Sequence, residues 1–498
     1  MRTISTIVSA TALVAMQFDS SNMFASAACN FDKISVDTNP GFQITVNDDY
    51  KLLEDTVANV KYGLYCDSQP SDVKDVDKWF KVPIETAGAR VPIASGFLEA
   101  LGLSDKLTAA ESPAKLTNIC LDASKMKTLD KASGEINSGV DVIFSADADS
   151  DGGSSARLPT DDKLAPLQKA EWIKFVAAFF NEEKAAESLF TSISDSYNCH
   201  RGNLQYLKEP SHAYWVQYSD STGANSYNII TSAYQKELLA SAGATNKTKA
   251  ALSDPSDVTK FQAAIKDADI VIDQSELTDY GQRATEWYKK FGYTDPQNSG
   301  VDFLMQRQIY RTDGYTSKSG ISNFPEFGYV RPDLVLQDII SVLERTYNPD
   351  YTPRWLLWLG GTNENTDIIG EDNYKCGSSS WLSTVNKCTS RTDFDGTTPS
   401  DDTTPLDDTT DDSEAKEDEK NDDSKNDDDS KNDNDKSSSG SGRAGKIAGG
   451  VIAGIAFIGL SFVGVHYFNK HRRHVRLRAL SQGEYGDNIG LREAGRFN

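Results

Sequence analysis

The stretch LAPLQKAEWIKFVAAFFNEEKAAESLFTSISDSYN, residues 164–198, decides the fold. Its apolar residues recur in steps of three and four, which is the period of one helical face. Neither Pro nor Gly interrupts the run between Gln168 and Asn198. The pattern predicts one uninterrupted helix, about 45–50 Å long at roughly 1.5 Å per residue. A helix of that length either joins two lobes or forms the centre of a helical bundle.

The sequence on both sides of this stretch favours two lobes. Before it we predict a strand at 90–95, a helix at 96–103 and a strand at 140–144. After it we predict a strand at 212–218, a helix at 232–242, a strand at 269–273 and a last amphipathic helix at 334–347. Strands that alternate with helices are typical of α/β lobes.

We therefore predict an α/β protein with two lobes joined by one long helix, a disordered stalk and one transmembrane helix. The predicted boundaries are a signal peptide at 1–27, an N-terminal lobe at 28–163, the linker helix at 164–198, a C-terminal lobe at 199–350, a Cys-containing appendix at 351–392, an acidic stalk at 393–442, the membrane span at 447–468 and a cytoplasmic tail at 469–498.

Both ends of the chain indicate export and anchoring. An apolar run that ends in Ala25-Ser26-Ala27 is typical of a cleaved secretory signal. Residues 447–468 contain no Asp, Glu, Lys or Arg, and they are long enough to cross a bilayer core of about 30 Å. The basic run after them belongs on the cytoplasmic side. These patterns predict a single-pass protein of the plasma membrane or an endocytic membrane, with its N-terminal bulk outside.

The formal net charge of −23 is concentrated near the C-terminus. Residues 393–436 hold nineteen acidic residues and five lysines, which account for −14 of it. Such a segment repels itself and cannot form a core. The remaining chain is moderately acidic, which excludes nucleic acid as an expected partner.

All six cysteines precede the predicted span, as expected of disulfides in an oxidising compartment. We predict that Cys376 pairs locally with Cys388 and leave the other pairings open, because six cysteines allow 15 connectivities. Asn246-Lys247-Thr248 is an acceptor for N-glycosylation at Asn246, which is consistent with export.

Several ordered segments resemble one family. They are VPIASGFLEALGLSDKL at 91–107, AEWIKF at 170–175 and RPDLVL at 331–336. They are similar to segments of class III ABC-type substrate-binding proteins, the group that captures iron–siderophores, haem and cobalamin. The resemblance implies two α/β lobes, a rigid linker helix and a ligand held in the cleft between the lobes. The anchored layout is similar to the ferrichrome-binding-like surface proteins of microalgae.

A ligand between two such lobes should meet the loops at the carboxyl ends of strands. Arg157 is the only cation in the loop 145–159. The resemblance implies that an Arg in the cleft pairs with the anionic oxygens around ferric iron; an ion pair with Asp161 or Asp162 is the alternative. Arg311 is a second cationic candidate because it follows another strand-like run.

Three aromatic residues of the second lobe are further candidates: Trp215, Tyr218 and Tyr227. Trp and Tyr combine a broad apolar face with a polar tip, which suits a bulky chelate, although core packing is an equal alternative for Trp215. The loop also contains Asp147-x-Asp149-x-Asp151-Gly152, the first half of a calcium-binding loop. Position twelve would be Leu158 instead of Glu, so a polar loop is the preferred interpretation.

Hydrolase, metalloprotease and nucleotide-binding motifs are absent from the sequence, so an enzyme is not expected. The leading hypothesis is a surface receptor that binds a ferric siderophore, of hydroxamate type, for iron uptake. It needs no intrinsic cofactor and would pass its ligand to a transporter, a reductase or endocytosis. The alternatives are a receptor for haem or a cobalamin-like ligand, and an adhesion or partner-binding ectodomain with a filled cleft.

Overall fold

The computed structural model describes residues 31–129, 139–160, 163–220, 223–245, 252–275, 283–360, 367–368, 376 and 388–396. Contacts divide the chain into two compact units, 1–404 and 405–498, and every described residue belongs to the first. The signal peptide, Asn246, the membrane span and the tail lie outside the described residues, as does the stalk beyond residue 396. Within the described residues, no helix is long and apolar enough to cross a membrane.

A small sheet precedes the first lobe. Its strands are β1 (Phe42–Val46), β2 (Tyr50–Asp55), β3 (Val60–Tyr65) and β4 (Lys78–Lys81), in the order β1-β2-β3-β4. The first three are antiparallel neighbours, and β4 runs parallel to β3. Alternate side chains of β2 and β3, such as Leu53 and Tyr62, are fully buried against the helices that follow.

The first lobe is built on a parallel sheet in the order β7-β6-β5-β8-β9. The strands are β5 (Ala87–Ala89), β6 (Leu107–Ala110), β7 (Lys127–Thr128), β8 (Val142–Ser145) and β9 (Ser155–Arg157). The strand predicted at 90–95 is wrong: β5 ends at Ala89, and helix α1 (Pro92–Ala100) begins at once. Pro92 stands at the first helical position, where its missing N–H costs nothing.

The prediction of one rigid linker helix is also wrong. Residues 164–198 form three helices: α2 (Pro166–Ala170), α3 (Trp172–Ala178) and α4 (Glu183–Asn203). The break lies at 179–182, where Asn181 has a φ of 57°. Lys51 of β2 holds the break, because its buried Nζ donates to the carbonyl of Ala178 at 2.6 Å and to Oδ1 of Asn181 at 2.8 Å, and it pairs with Glu183. The helical periodicity continues through the break, which is why the sequence did not reveal it.

The second lobe contains a mixed sheet in the order β11-β10-β12-β13-β15. Its strands are β10 (Ala213–Ser219), β11 (Ser226–Ile229), β12 (Ile270–Asp273), β13 (Ile309–Arg311) and β15 (Leu357–Trp358); β14 (Tyr315–Thr316) pairs separately with β16 (Asp367–Ile368). The central strands β10, β12 and β13 are parallel, and the two edge strands are antiparallel. The helices are α5 (Ala233–Ser241), α6 (Val258–Ile265), α7 (Arg283–Lys290), α8 (Asp302–Met305), α9 (Phe324–Phe327) and α10 (Pro332–Leu343).

The predicted local pairing of Cys376 with Cys388 is wrong. Cys376 is bonded to Cys120, in the loop after β6, and Cys388 is bonded to Cys199 on α4. Cys66 is disulfide-bonded as well. The reason is that the appendix folds back over the rest of the molecule: Trp355 is fully buried, β15 joins the second sheet, and residues 388–391 contact Asn203. Cys376 and Cys388 are therefore bonded to partners that are distant in the sequence instead of to each other.

Candidate functional site

The carboxyl ends of the parallel strands define the candidate site, because they lie at one edge of each sheet. In the first lobe this edge includes Arg90 after β5 and the loop after β8. In the second lobe it includes the residues that follow β12 and β13. Thr117 lies after β6 in the first lobe, and Asn323 lies after β13 and β14 in the second. The two edges meet at these residues, where Nδ2 of Asn323 donates to Oγ1 of Thr117 at 2.9 Å.

Arg90 lies at the middle of the first edge, and we did not select it from the sequence. Its Nε donates to Oδ2 of Asp151 at 2.6 Å, and its Nη2 donates to Oδ1 of Asp151 at 2.5 Å. Its Nη1 lies 3.8 Å from the carboxylate of Glu111. The side chain is 10% exposed. An Arg directly after a short apolar strand and two residues before a helix-starting Pro is the signal that could have identified it.

The loop after β8, whose sequence resembles half of a calcium loop, surrounds a lysine. Nζ of Lys78 donates to the carbonyls of Gly152 at 2.8 Å and Ser155 at 3.2 Å, and also to that of Ala148. Asp149 lies 3.8 Å away. Burial lowers the pKa of Lys78. The described residues contain no cluster of His, Cys, Asp and Glu that could hold a metal ion. The carbonyl groups of this loop therefore bind an ammonium group.

Arg157 is paired on the side of the small sheet. Its Nη1 lies 2.7 Å from Oδ2 of the fully buried Asp55 on β2. Asp161 and Asp162, the partners in the alternative interpretation, lie outside the described residues. Asp55 also accepts hydrogen bonds from the amides of Val57 and Ala58. Arg157 therefore ties the end of β9 to β2, and direct contact with a ligand stays a prediction.

Arg311 is buried within the second lobe. Its Nη1 lies 2.9 Å from Oδ2 of Asp273, and its Nη2 lies 3.2 Å from Oδ2 of Asp313. Nη2 also donates to the carbonyl of Ser275 at 2.5 Å. The side chain is 3% exposed. The guanidinium joins the ends of β12 and β13, and a ligand role for it stays a prediction.

The three aromatic candidates divide between two faces of the second sheet. Trp215 is fully buried in the core shared with the first lobe, and its Nε1 donates to Oε1 of Gln274 at 2.8 Å. Tyr218 and Tyr227 lie on the opposite face, with ring centroids 5.6 Å apart. Lys290 lies 4.6 Å above the Tyr218 ring. The structure does not bring the five predicted residues to one place, and their role as a joint site stays a prediction.

The meeting point of the two edges is buried and polar. Oε2 of Glu326, on α9, accepts hydrogen bonds from the amide of Thr117 at 2.6 Å and from its hydroxyl at 2.5 Å. Burial raises the pKa of Glu326, and the hydrogen bonds from Ser95 and Thr117 oppose that shift. A Cβ on Gly96 would lie 2.0 Å from the carbonyl oxygen of Glu326, so α1 and α9 touch through backbone. Only glycine permits this approach.

A second buried group, His200 on α4, is uncharged. Its Nδ1 lies 2.9 Å from the hydroxyl of Tyr347, and burial lowers its pKa to about 4. Within the described residues Nε2 has no hydrogen-bond partner. His200 lines a cavity of about 10 Å³ together with Gln337 and Tyr351. That space suits one water molecule, which Nε2 could bind.

Neither a family model nor a curated protein matches this chain. Among solved structures, an ABC transporter substrate-binding protein from Listeria monocytogenes EGD-e is 16% identical, with a TM-score of 0.38 over 53% of this chain and 99% of that one. A periplasmic heme binding protein from Pseudomonas aeruginosa is 12% identical, with a TM-score of 0.41 over 54% and 95%. An ABC-type Fe3+-hydroxamate transport system from Saccharomonospora viridis DSM 43017 is 14% identical, with a TM-score of 0.38 over 53% and 94%. Because each TM-score lies below 0.5, we draw no functional conclusion from these similarities.

Proposed function

We propose that this chain binds a ferric siderophore of the hydroxamate type at the carboxyl edges of its two lobes, without converting it chemically. One observation carries the choice of ligand. The arginines at the strand ends, Arg90, Arg157 and Arg311, each have a carboxylate within 4 Å. The guanidinium groups are therefore held in fixed orientations, and none of them adds an excess positive charge to the edges.

A neutral ligand suits such charge-compensated edges. Three hydroxamate oxyanions balance the charge of Fe3+, so the complex carries no charge at its metal centre. Its oxygen atoms still accept hydrogen bonds, and a planar guanidinium is well suited to donate them. We assign this role to Arg90, because it is less buried than Arg311 and lies at the middle of the first edge.

Haem is a weaker candidate for the same edges. Its two propionates need cations that are not already neutralised, because a buried anion without a partner is costly. The same reasoning disfavours catecholate chelates, which carry a net negative charge. A cobalamin-like ligand remains an alternative on grounds of size and polarity, and its absorbance on titration would distinguish it.

The cellular role follows from the sequence features at both ends. A signal at 1–27 and a span at 447–468 support a cell-surface receptor with its lobes outside the cell. The acidic residues of 393–442 would hold the lobes away from the bilayer as an extended stalk. The receptor would then deliver its ligand to endocytosis or to a neighbouring reductase or transporter.

The test is a titration of the purified full chain with ferrichrome and ferrioxamine B, which are ferric tris-hydroxamates, and with haemin. The gallium complexes serve as controls, because they have the same shape but do not quench fluorescence through iron. We expect both hydroxamates to raise the thermal midpoint, with about 2.7 kcal/mol of stabilisation at a hundredfold excess over Kd. Stabilisation by haemin alone, or by none of these ligands, would overturn the proposal.

A partner-binding ectodomain is a second candidate, favoured by the filled meeting point of the lobes. Glu326, Thr117 and Asn323 occupy that point with their own hydrogen bonds, and the predicted residue Trp215 is fully buried. If this second candidate is correct, the folded chain binds none of the chelates in the titration.

A further inference from the structure

One short segment of the first lobe is held by the second lobe at three points. Oε2 of Glu326 accepts from both the amide and the hydroxyl of Thr117. The hydroxyl of Thr117 in turn accepts from Asn323 at 2.9 Å. Three residues further on, Cys120 is bonded to Cys376, which follows β16 of the second lobe. Non-covalent and covalent ties therefore converge on residues 117–120.

We propose that residues 117–120, with Asn323, Glu326 and Cys376, form a latch that fixes the spacing of the two carboxyl edges, and that the Cys120–Cys376 disulfide is its redox-sensitive part. The latch lies at one end of the region where the proposed ligand would bind. Its test needs no ligand, so the latch and the proposed function can fail separately.

The packing around the latch makes it stiff. Thr117 and Asn323 are buried, and Glu326 is 2% exposed, so water does not compete for these hydrogen bonds. Close by, Gly96 of α1 touches the backbone of Glu326. A change in the spacing of the edges would break a backbone contact and expose a buried carboxyl group at the same time. The latch therefore has one favoured geometry.

The Cys120–Cys376 disulfide is the accessible part of the latch. Cys376 is exposed and Cys120 is half-buried. A dithiol such as dithiothreitol breaks the S–S bond by exchange: its own sulfurs form a new disulfide, and its two electrons and two protons remain on Cys120 and Cys376 as thiols. Reduction leaves residues 117–120 tied to the second lobe by the hydrogen bonds of Thr117 and by the backbone hydrogen bond from Asn118 to Glu326.

The second disulfide provides a matched control. Cys199–Cys388 joins α4 to residues 388–396 and has no contact with Thr117, Asn323 or Glu326 in the described structure. It closes 189 residues, compared with 256 for Cys120–Cys376, so the two bonds restrict the unfolded chain to a similar extent. A general effect of losing a disulfide would appear in both variants.

The experiment measures hydrogen exchange by mass spectrometry on the full chain, its C120S/C376S variant and its C199S/C388S variant. We expect C120S/C376S to accelerate exchange at least tenfold at residues 112–121 and 322–330. C199S/C388S should leave those residues unchanged and accelerate exchange at 200–207 and 388–396 instead. Unchanged exchange at 112–121 in C120S/C376S, or equal acceleration in both variants, would overturn the latch.

Two further measurements keep the test decisive if C120S/C376S fails to fold. Dithiothreitol added to the folded protein should accelerate exchange at the same residues. Thr117→Val keeps the disulfide and the side-chain shape but removes the hydroxyl, and it should accelerate exchange at 323–327 by severalfold. No change in either measurement would overturn the latch, whereas failure to bind any chelate would overturn only the proposed function.

Discussion

Arg311 and Arg90 stand at corresponding places in the two lobes, each at the carboxyl end of a central parallel strand and each beside two carboxylates. They differ in what lies around them. Asp273 and Asp313, the partners of Arg311, are 0% and 7% exposed. Of the two partners of Arg90, Asp151 is 2% exposed and Glu111 is 26% exposed. The guanidinium group of Arg311 is enclosed within the second lobe, whereas that of Arg90 is partly accessible in the first.

The comparison teaches that pairing alone does not decide the role of a buried charge. An Arg enclosed with both of its carboxylates cannot exchange a partner without exposing the others to an apolar interior. An Arg with one solvated partner can rearrange at lower cost. We therefore expect substitutions at Arg311 to affect stability first, and substitutions at Arg90 to affect binding first.

The largest effect is expected for Arg311→Met. It leaves Asp273 and Asp313 buried without their cation and should lower the free energy of unfolding by about 3–5 kcal/mol. Urea denaturation followed by circular dichroism measures this loss. Lys318→Met is the control, because Lys318 is exposed and its loss should change stability by no more than about 0.5 kcal/mol. Equal losses in the two variants would remove the contrast between the lobes.

His200 is buried in its neutral form, whereas Arg90 and Arg311 are buried as ion pairs. Its pKa is about 4 in the folded chain, against an ordinary value of 6.5. The unfolded chain therefore takes up a proton first as the pH falls below 6.5, and stability should decrease between pH 6.5 and 4 by up to about 3 kcal/mol. His200→Gln should flatten the dependence of the urea midpoint on pH in that window. An equally steep slope in His200→Gln would assign it to other groups.

Arg90→Ala tests the accessible side of the comparison. We expect it to weaken binding of a ferric tris-hydroxamate by about 1–3 kcal/mol, because a charged hydrogen-bond donor is lost. Arg157→Ala is the matched variant, since Arg157 is paired with Asp55 on β2. Fluorescence titration of both variants separates them. A larger loss in Arg157→Ala would return the ligand contact to the residue that the sequence indicated.

The smallest effect is expected for Lys78→Met. Without the ammonium group, the carbonyls of Ala148, Gly152 and Ser155 lose a shared donor, and stability should fall by about 1–2 kcal/mol. Lys81→Met, on the same strand but exposed, should be neutral. Hydrogen exchange at 146–155 should rise only in Lys78→Met. Unchanged exchange there would mean that Arg90 alone holds the loop.

The positions of the main strands and helices could be predicted from the periodicity of apolar residues. The long-range contacts that hold the helix break and form the disulfides could not. Strands at 142–145, 213–219 and 270–273 and the last helix lie close to their predicted places, because short buried strands and amphipathic helices leave a local pattern. The break at Asn181 left no gap in that periodicity, and Lys51, which holds the break, lies 130 residues away in the sequence. The pairing of Cys376 with Cys388 was mispredicted for a similar reason, because proximity along the chain says little about proximity in the folded protein.

The candidate site was only partly predictable. The sequence indicated the loop after β8 correctly as part of an edge, but it directed attention to Arg157 instead of Arg90. Arg90 follows β5 and Arg157 is the last residue of β9, and only the strand order β7-β6-β5-β8-β9 shows that Arg90 is central. Asp55, the partner of Arg157, lies 102 residues away in the sequence, and Asp273, one of the two partners of Arg311, lies 38 residues away. Charge compensation at that range is a property of the fold, and the composition of a loop does not reveal it.

The disulfide pattern also constrains how the chain is made. Cys120 waits for a partner 256 residues downstream, and Cys199 waits for one 189 residues downstream. At roughly 5–20 residues per second, ribosomes need about 10–50 s to supply those partners. During that time the nascent chain carries thiols that can be captured by the wrong cysteine. Maturation of this protein should therefore depend on a disulfide isomerase, and its yield from cells should track isomerase activity more closely than that of a protein whose cysteines pair with near neighbours.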